Sequence, residues 1–273
     1  MAHFSRLQKF SLFSVGLLTV NSFFFIKYRD EFFIFRLVAS NMKYNSFVTK
    51  WDHNWDRHVP EKLSNFINID KPESSKYNGK VANHILLIRH GQYHVNKHND
   101  DERRLTELGK LQAEITGLRL AELAVPYKKI VSSTMMRAQE TSRLIQNHLP
   151  LVEIIEDCLL VEGYPIAPDP PGGRWRPEKK FFQDGPRLEA AFRKYIHRAD
   201  SLVEKDNYTV IVCHANVIRY FVCRALQIPP EAWLRMSLNH GSVTWITVLS
   251  SGKVILRSFG ETSHMLPEWI TSR

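Results

Sequence analysis

Two histidines, two arginines and a glutamate stand where the apolar runs of this 273-residue sequence give way to polar residues. Arg89-His90-Gly91 closes the run His84–Arg89, Arg137 follows Lys129–Ser133, and His214-Ala215-Asn216 follows Thr209–Cys213. Glu162 follows the shorter run Leu159–Val161. Guanidinium forks match phosphate oxygens two at a time, and a helix opening after His214 would add free backbone N–H groups. Neighbouring positive charge opposes a second cation, so an imidazole among arginines stays neutral and keeps a lone pair for attack. A carboxyl at the rim can hand a proton to an alkoxide leaving group. The set suits phosphoryl transfer. Each residue alone has a plainer reading: an ion pair for an arginine, a strand-end hydrogen bond for a histidine, a solvated loop for the glutamate. Their joint occurrence favours chemistry.

The elements that must carry these residues alternate. The runs at 84–89, 129–133 and 209–213 read as strands buried on both faces. Thr106 is placed to cap a helix whose Leu108, Leu111, Ile115 and Leu118 recur at helical spacing. Further helices are expected over Met135–His148, Leu188–Val203 and Val217–Leu226, and Ser242–Leu249 with Val254–Phe259 reads as a closing hairpin. Strands alternating with helices predict an α/β fold, a mostly parallel sheet with helices on both faces, and in such sheets ligands sit beyond the carboxyl ends of the strands.

Rival chemistries are weaker. Cys213-x5-Arg219 has the spacing of a cysteine-based phosphate loop, but the intervening residues include no glycine and two are β-branched, which disfavours a nest of backbone N–H groups. His90, His94 and His98 are spaced by four, yet they follow a strand, and a metal there would set a cation beside cations. No metal and no cofactor are expected. Three cysteines without a CxxC pair make neither a disulfide framework nor a thiolate zinc site.

The composition, 44% hydrophobic and 24% charged, is that of a folded protein. The net charge of +9 is concentrated at the start: residues 1–50 carry seven Lys/Arg against Asp30 and Glu31, a balance of +5, which leaves +4 over the other 223 residues. So weak a footprint does not indicate a nucleic-acid partner. Phe10–Ile26 is a 17-residue uncharged run flanked by Arg6/Lys9 and Lys27/Arg29. As a helix it would span about 25 Å against a hydrocarbon core of ~30 Å. No small-x-small site follows it, so a marginal membrane anchor is expected in a leader of residues 1–31. Residues 32–83 read as a juxtamembrane linker, apolar over Phe32–Ala39 and polar from 40 to 83, and 84–273 as the folded domain. The linker holds Trp51-Asp52-His53-Asn54-Trp55-Asp56, two tryptophans that either cap the protein's own surface or dock into a neighbouring subunit.

Leu87-Ile88-Arg89-His90-Gly91 resembles the Arg-His-Gly signature of the histidine phosphatase (phosphoglycerate-mutase-like) superfamily. Leu105-Thr106-x-x-Gly109-x-x-Gln112-Ala113, Ser132-Ser133 with Arg137-Ala138-x-x-Thr141, and Val212-x-His214-Ala215 resemble its later blocks in order. The resemblance covers about residues 84–273. It implies a phosphoglycerate-mutase-like fold, His90 as the phosphorylated nucleophile, Glu162 as proton donor and later base, and Arg89, Arg137 and His214 as the phosphate pocket. Asn96 sits where the family often places a phosphate-contacting Asn. The Trp-Asp element, Glu162-Gly163-x-Pro165-Ile166-x-Pro168-Asp169-Pro170-Pro171 and Cys213–Tyr220 resemble a membrane-anchored, mitochondrial serine/threonine-phosphatase branch of that superfamily. That closer likeness implies phosphoprotein substrates, and self-association and activation through Trp51, Asp52, Asn54, Trp55 and Asp56. Thr134 departs from the acidic residue common in the wider superfamily. Two other readings are a multimeric membrane scaffold with a vestigial pocket, and a small-molecule phosphomonoesterase or mutase. Residues 163–187 are rich in proline and read as a stiff rim. Arg174, Arg176, Lys179 and Lys180 are placed there to steer an acidic phosphopeptide, which favours protein substrates over phosphoglycerates.

Overall fold

The computed structural model describes residues 50–58, 81–172, 176–199 and 203–272. The anchor expected at 10–26 and most of the linker lie outside them. Among the described residues no helix is long and apolar enough to cross a membrane. Six strands form one mixed sheet in the order β3-β2-β4-β1-β5-β6. They are β1 (Ala82–Arg89), β2 (Tyr127–Ser133), β3 (Glu153–Asp157), β4 (Asn207–Cys213), β5 (Val243–Leu249) and β6 (Val254–Glu261). The first four in space are mutually parallel, β5 is antiparallel to β1, and β6 is antiparallel to β5.

Both faces are covered. The strand period of two sends Leu86, Ile88, Val210 and Val212 to one side, where they pack with Leu120 of α1 (Glu107–Glu122) and Ile145 of α2 (Met136–His148). Ile85, Leu87, Ile211 and Cys213 face the other side, against Leu188 and Phe192 of α3 (Lys179–Tyr195) and Ile218 and Phe221 of α4 (Ala215–Ala225). Full burial of both faces is why these strands read as continuous apolar runs.

Four points of the fold go beyond or against the sequence reading. On α1 the buried face is Gly109, Gln112, Ala113, Thr116, Gly117 and Leu120, whereas Leu111 and Leu118 are 37% and 49% exposed. Close approach decided this: a Cβ at Gly109 would lie 1.9 Å from the Gln92 carbonyl oxygen, and one at Gly117 2.7 Å from the His148 ring. Second, strand β3 carried no signal, because on the sheet edge its Ile155 is 41% exposed. Third, the short run before Glu162 is not extended chain: Cys158–Leu160 is a 3-10 turn. Fourth, the third helix begins at Lys179, inside the supposed rim, and ends at Tyr195 rather than Val203. It passes through Pro186, and Gly185 lets the Pro165 carbonyl come within 2.6 Å of where a Cβ would sit. Three residues past the end of this helix, Arg198 is held by Asp56.

That grip belongs to the Trp-Asp element. Trp55 is buried on Phe192, with ring centroids 5.8 Å apart, and its Nε1 donates to the Gly252 carbonyl at 2.7 Å. Asp56 accepts from Arg198 Nε (2.9 Å), Nη2 (2.7 Å) and backbone N (2.9 Å). Asp52 exchanges two hydrogen bonds with the Gln227 side chain, its side chain closes a turn onto the Asn54 N–H, and Trp51 packs at the core margin. Within the single chain the element packs on its own domain.

Candidate active site

Parallel pairing fixes which residues meet. Arg89 pairs with Cys213 and Ser132 with Val212, so His90, Ser133 and His214 step off adjacent strands at one edge. The His90 N–H bonds the Cys213 carbonyl at 3.0 Å. Gly91 is required next, since a Cβ there would stand 2.3 Å from the Gly109 carbonyl oxygen; its N–H donates to Thr141 Oγ1 at 3.1 Å.

The His90 ring is 2% exposed. Its Nδ1 lies 2.8 Å from the Gly91 carbonyl oxygen, which only accepts, so Nδ1 carries the proton and Nε2 the lone pair. Arg137 Nε donates to that lone pair at 3.2 Å. Burial, then the fields of His214, Arg137 and Arg89, holds the imidazole well below its usual pKa. Arg137, in the first turn of α2, is buried, lies 4.7 Å from the Tyr93 ring and donates Nη1 to Asp100 at 3.2 Å. Asp100 also accepts the Met136 N–H at the start of that helix, 2.9 Å away.

His214 caps α4 and hydrogen-bonds Ser133 through Nε2 at 2.9 Å, and its ring lies 5.1 Å from that of His90. Burial and the two arginines keep it neutral as well. Arg89 donates Nη1 to the carbonyls of Leu238 (2.5 Å) and Ser272 (3.1 Å). Burial brings its guanidinium down to about 10, still a cation at neutral pH. Glu162 follows the 3-10 turn, half-buried. Burial raises its carboxyl above the usual range against the opposing fields of Arg137, Arg89 and Arg219. The five residues expected from the strand ends therefore gather in one place. Asn96 does not join them: it is exposed on the 94–99 loop and makes no hydrogen bond among the described residues. His94 and His98 share that exposed loop.

The structure adds residues that sequence reasoning missed. His240 lies 5.6 Å from the His90 ring. It hydrogen-bonds Thr271 Oγ1 through Nδ1 (2.9 Å) and accepts from Arg89 Nη2 at Nε2 (3.1 Å). Burial and Arg89 bring its pKa to about 3. Its signal was topological: β5 is antiparallel to β1, so residues preceding β5 sit at the edge where β1 ends. Arg219 on α4 is a third cation toward Glu162, while Cys213 is fully buried and its thiol pushed up, unsuited to be a thiolate. Arg89 Nε, Arg219 Nε and His214 Nδ1 are buried without a hydrogen-bond partner among the described residues. The two orphaned guanidinium donors beside a neutral imidazole lone pair make a seat for an anion and a nucleophile to attack it.

This edge of a mixed α/β sheet, with Arg-His-Gly on one strand end and His-Ala on the next, defines the class. The chain belongs to the histidine phosphatase superfamily (branch 1), whose family model matches residues 85–260. Among individual proteins it is 51% identical over 230 residues to the serine/threonine-protein phosphatase PGAM5, mitochondrial, of Mus musculus, covering 81% of this chain and 80% of that one. It is 43% identical over 280 residues to the protein of the same name from Drosophila mojavensis, covering 98% and 97%. Among solved structures, Bacillus stearothermophilus YhfR shares the fold: TM-score 0.53, 23% identity, 67% of this chain and 98% of that chain.

Proposed function

We propose that this protein is a mitochondrial serine/threonine-protein phosphatase that works through a phosphohistidine. The observation that carries the reading is the tautomer of His90: Gly91 holds the proton on Nδ1, so Nε2 is left to attack. Phosphate oxygens take over the N–H groups of Arg137 and Arg89 and free that lone pair. Nε2 attacks phosphorus, the P–N bond forms as the P–O bond to the serine or threonine breaks, and Glu162 gives its proton to the departing oxygen. Water then attacks phosphorus, gives a proton back to Glu162, and inorganic phosphate leaves His90. The raised pKa of Glu162 favours the protonated form that the first step needs.

The high identity to named protein phosphatases supports protein substrates. The uncharged run 10–26 with basic flanks supports a membrane anchor in residues 1–31, a linker over 32–83 and a catalytic domain over 84–273. Self-association and activation through Trp51–Asp56 rest on the likeness of that element to the same branch. Replacing His90 with alanine is the test. Wild-type protein treated with a phosphothreonine peptide and quenched should carry an acid-labile, base-stable phosphate that His90→Ala lacks, with activity lost. An alanine variant that turns over at wild-type speed refutes the reading.

A further inference from the structure

We propose that the cavity beside the catalytic cluster, walled by Tyr164, Phe181 and Trp233, receives an apolar side chain of the phosphoprotein substrate, within two residues of the phosphorylated one. The inference rests on the phosphatase reading and adds a sequence preference to it.

The cavity measures about 530 Å³, and Pro168, Pro171 and Leu234 complete its apolar wall. Two of its wall residues stand close in the chain to residues of the catalytic cluster. Tyr164 is two residues beyond Glu162, and Asn216, another wall residue, is two beyond His214 and donates Nδ2 to the Gly163 carbonyl at 3.0 Å. The loop bearing the proposed proton donor is thus fastened to the cavity's own wall. An extended peptide advances about 3.3 Å per residue with side chains on alternate faces, so residues next to the phosphorylated one are those we place against this wall.

The walls are fixed before any ligand arrives. Trp233 Nε1 donates to the Ile166 carbonyl at 3.0 Å, the Asp169 N–H to the Glu231 carbonyl at 3.0 Å, and Arg235 Nε to the Asp169 carbonyl at 2.8 Å. The Tyr164 N–H is held by Asp184 at 2.9 Å, and Tyr164 meets Trp233 edge-on with centroids 6.1 Å apart. A preformed apolar cavity spares a ligand the cost of ordering it. The chemistry of the walls selects the occupant. A carboxylate or an ammonium group would lose its water against the aromatic rings and prolines of the wall. Leucine, phenylalanine or proline fits.

Gly172 gives a clean way to fill the cavity. A Cβ there would meet only the Pro170 carbonyl oxygen at 3.8 Å and Leu234 at 3.9 Å, ordinary contact distances. Full-length protein carrying His90→Ala is titrated with fluorescent phosphothreonine peptides bearing Leu, Phe, Gly or Asp at each position from two before to two after the phosphothreonine. At one position Leu or Phe should bind at least about tenfold more tightly than Gly. Adding Gly172→Leu should erase that preference without weakening the Gly peptide. Equal affinity for Leu and Gly at every position, or a preference that survives Gly172→Leu, overturns the proposal. Hydrolysis of phenyl phosphate, which reaches only the catalytic cluster, is read in parallel on wild-type and Gly172→Leu proteins. A failed cavity in an active enzyme is thereby distinguished from a failed catalytic reading.

Discussion

Removing the Asp56 carboxylate tests whether the Trp-Asp element is a structural part of the domain that follows it. The Asp56 side chain is 1% exposed and that of Arg198 10%, so neither water nor salt screens the pair. Burial pushes the carboxyl up, but the hydrogen bonds and charge of Arg198 outweigh it and hold Asp56 below its usual pKa. In Asp56→Ala the guanidinium keeps only the His53 carbonyl, at 2.7 Å, and is otherwise stranded. Breaking a buried pair from one side costs about 3–5 kcal/mol. For a domain of this size that is a fall in Tm of roughly 6–20 °C. Asp56→Asn retains an acceptor oxygen and should fall about half as far. As a control, Arg119→Ala removes an exposed pair with Glu122 at 3.4 Å and should cost less than about 1 kcal/mol. The assay is thermal unfolding at several protein concentrations. An Asp56→Ala midpoint within 2 °C of wild type, to use a roughly 1 kcal/mol threshold, refutes the docking. A loss that shrinks with concentration places the element in a second copy instead. The pH arm has a definite sign. Because the folded pKa is depressed, the contribution is complete above the unfolded value near 3.8 and disappears as pH falls through the folded one. Asp56→Asn should therefore lose this part of the acid sensitivity.

Three further outcomes follow from the catalytic cluster. Glu162→Gln should slow alkyl phosphoesters by roughly 10²–10⁴-fold but p-nitrophenyl phosphate far less, since that leaving group needs no proton; equal losses on both substrates would remove Glu162 from the acid role. Arg137→Lys keeps the charge but loses the planar fork, and kcat/KM should fall roughly tenfold to a hundredfold, as expected for one charge-assisted hydrogen bond; an unchanged value in steady-state assays defeats the assignment. His90, His214 and His240 are held neutral in the fold and protonate near 6.5 when unfolded, so stability should decline as pH drops below that value. His240→Gln should make that decline shallower, as read from urea midpoints between pH 7 and pH 5; an unaltered slope contradicts the buried, neutral ring.

Much of the fold was legible because burial on both faces writes strands as unbroken apolar runs. β1, β2 and β4 could be located from Leu86–Ile88, Ile130–Val131 and Val210–Val212, and with them the strand ends that carry Arg89, His90 and His214. The failures share a cause. β3 lies on the edge, α1 turns Gly109 and Gly117 inward and leaves Leu111 and Leu118 exposed, and α3 tolerates Gly185 and Pro186 because Pro165 packs there. In each case a tertiary neighbour overruled the local pattern.

The chain's residue types and their order were enough to name the chemistry: cations around an imidazole at successive strand ends. Only the folded structure decided which imidazole nitrogen holds the proton, because that depends on the Gly91 carbonyl meeting Nδ1. Only it could add His240, which reaches the site through an antiparallel strand 150 residues away from His90 in sequence. It also seats Trp55 on its own domain, closing a hydrogen bond to Gly252 and setting Asp56 on Arg198. Composition and spacing are one-dimensional, whereas proton placement and docking are settled by groups brought together across the whole chain.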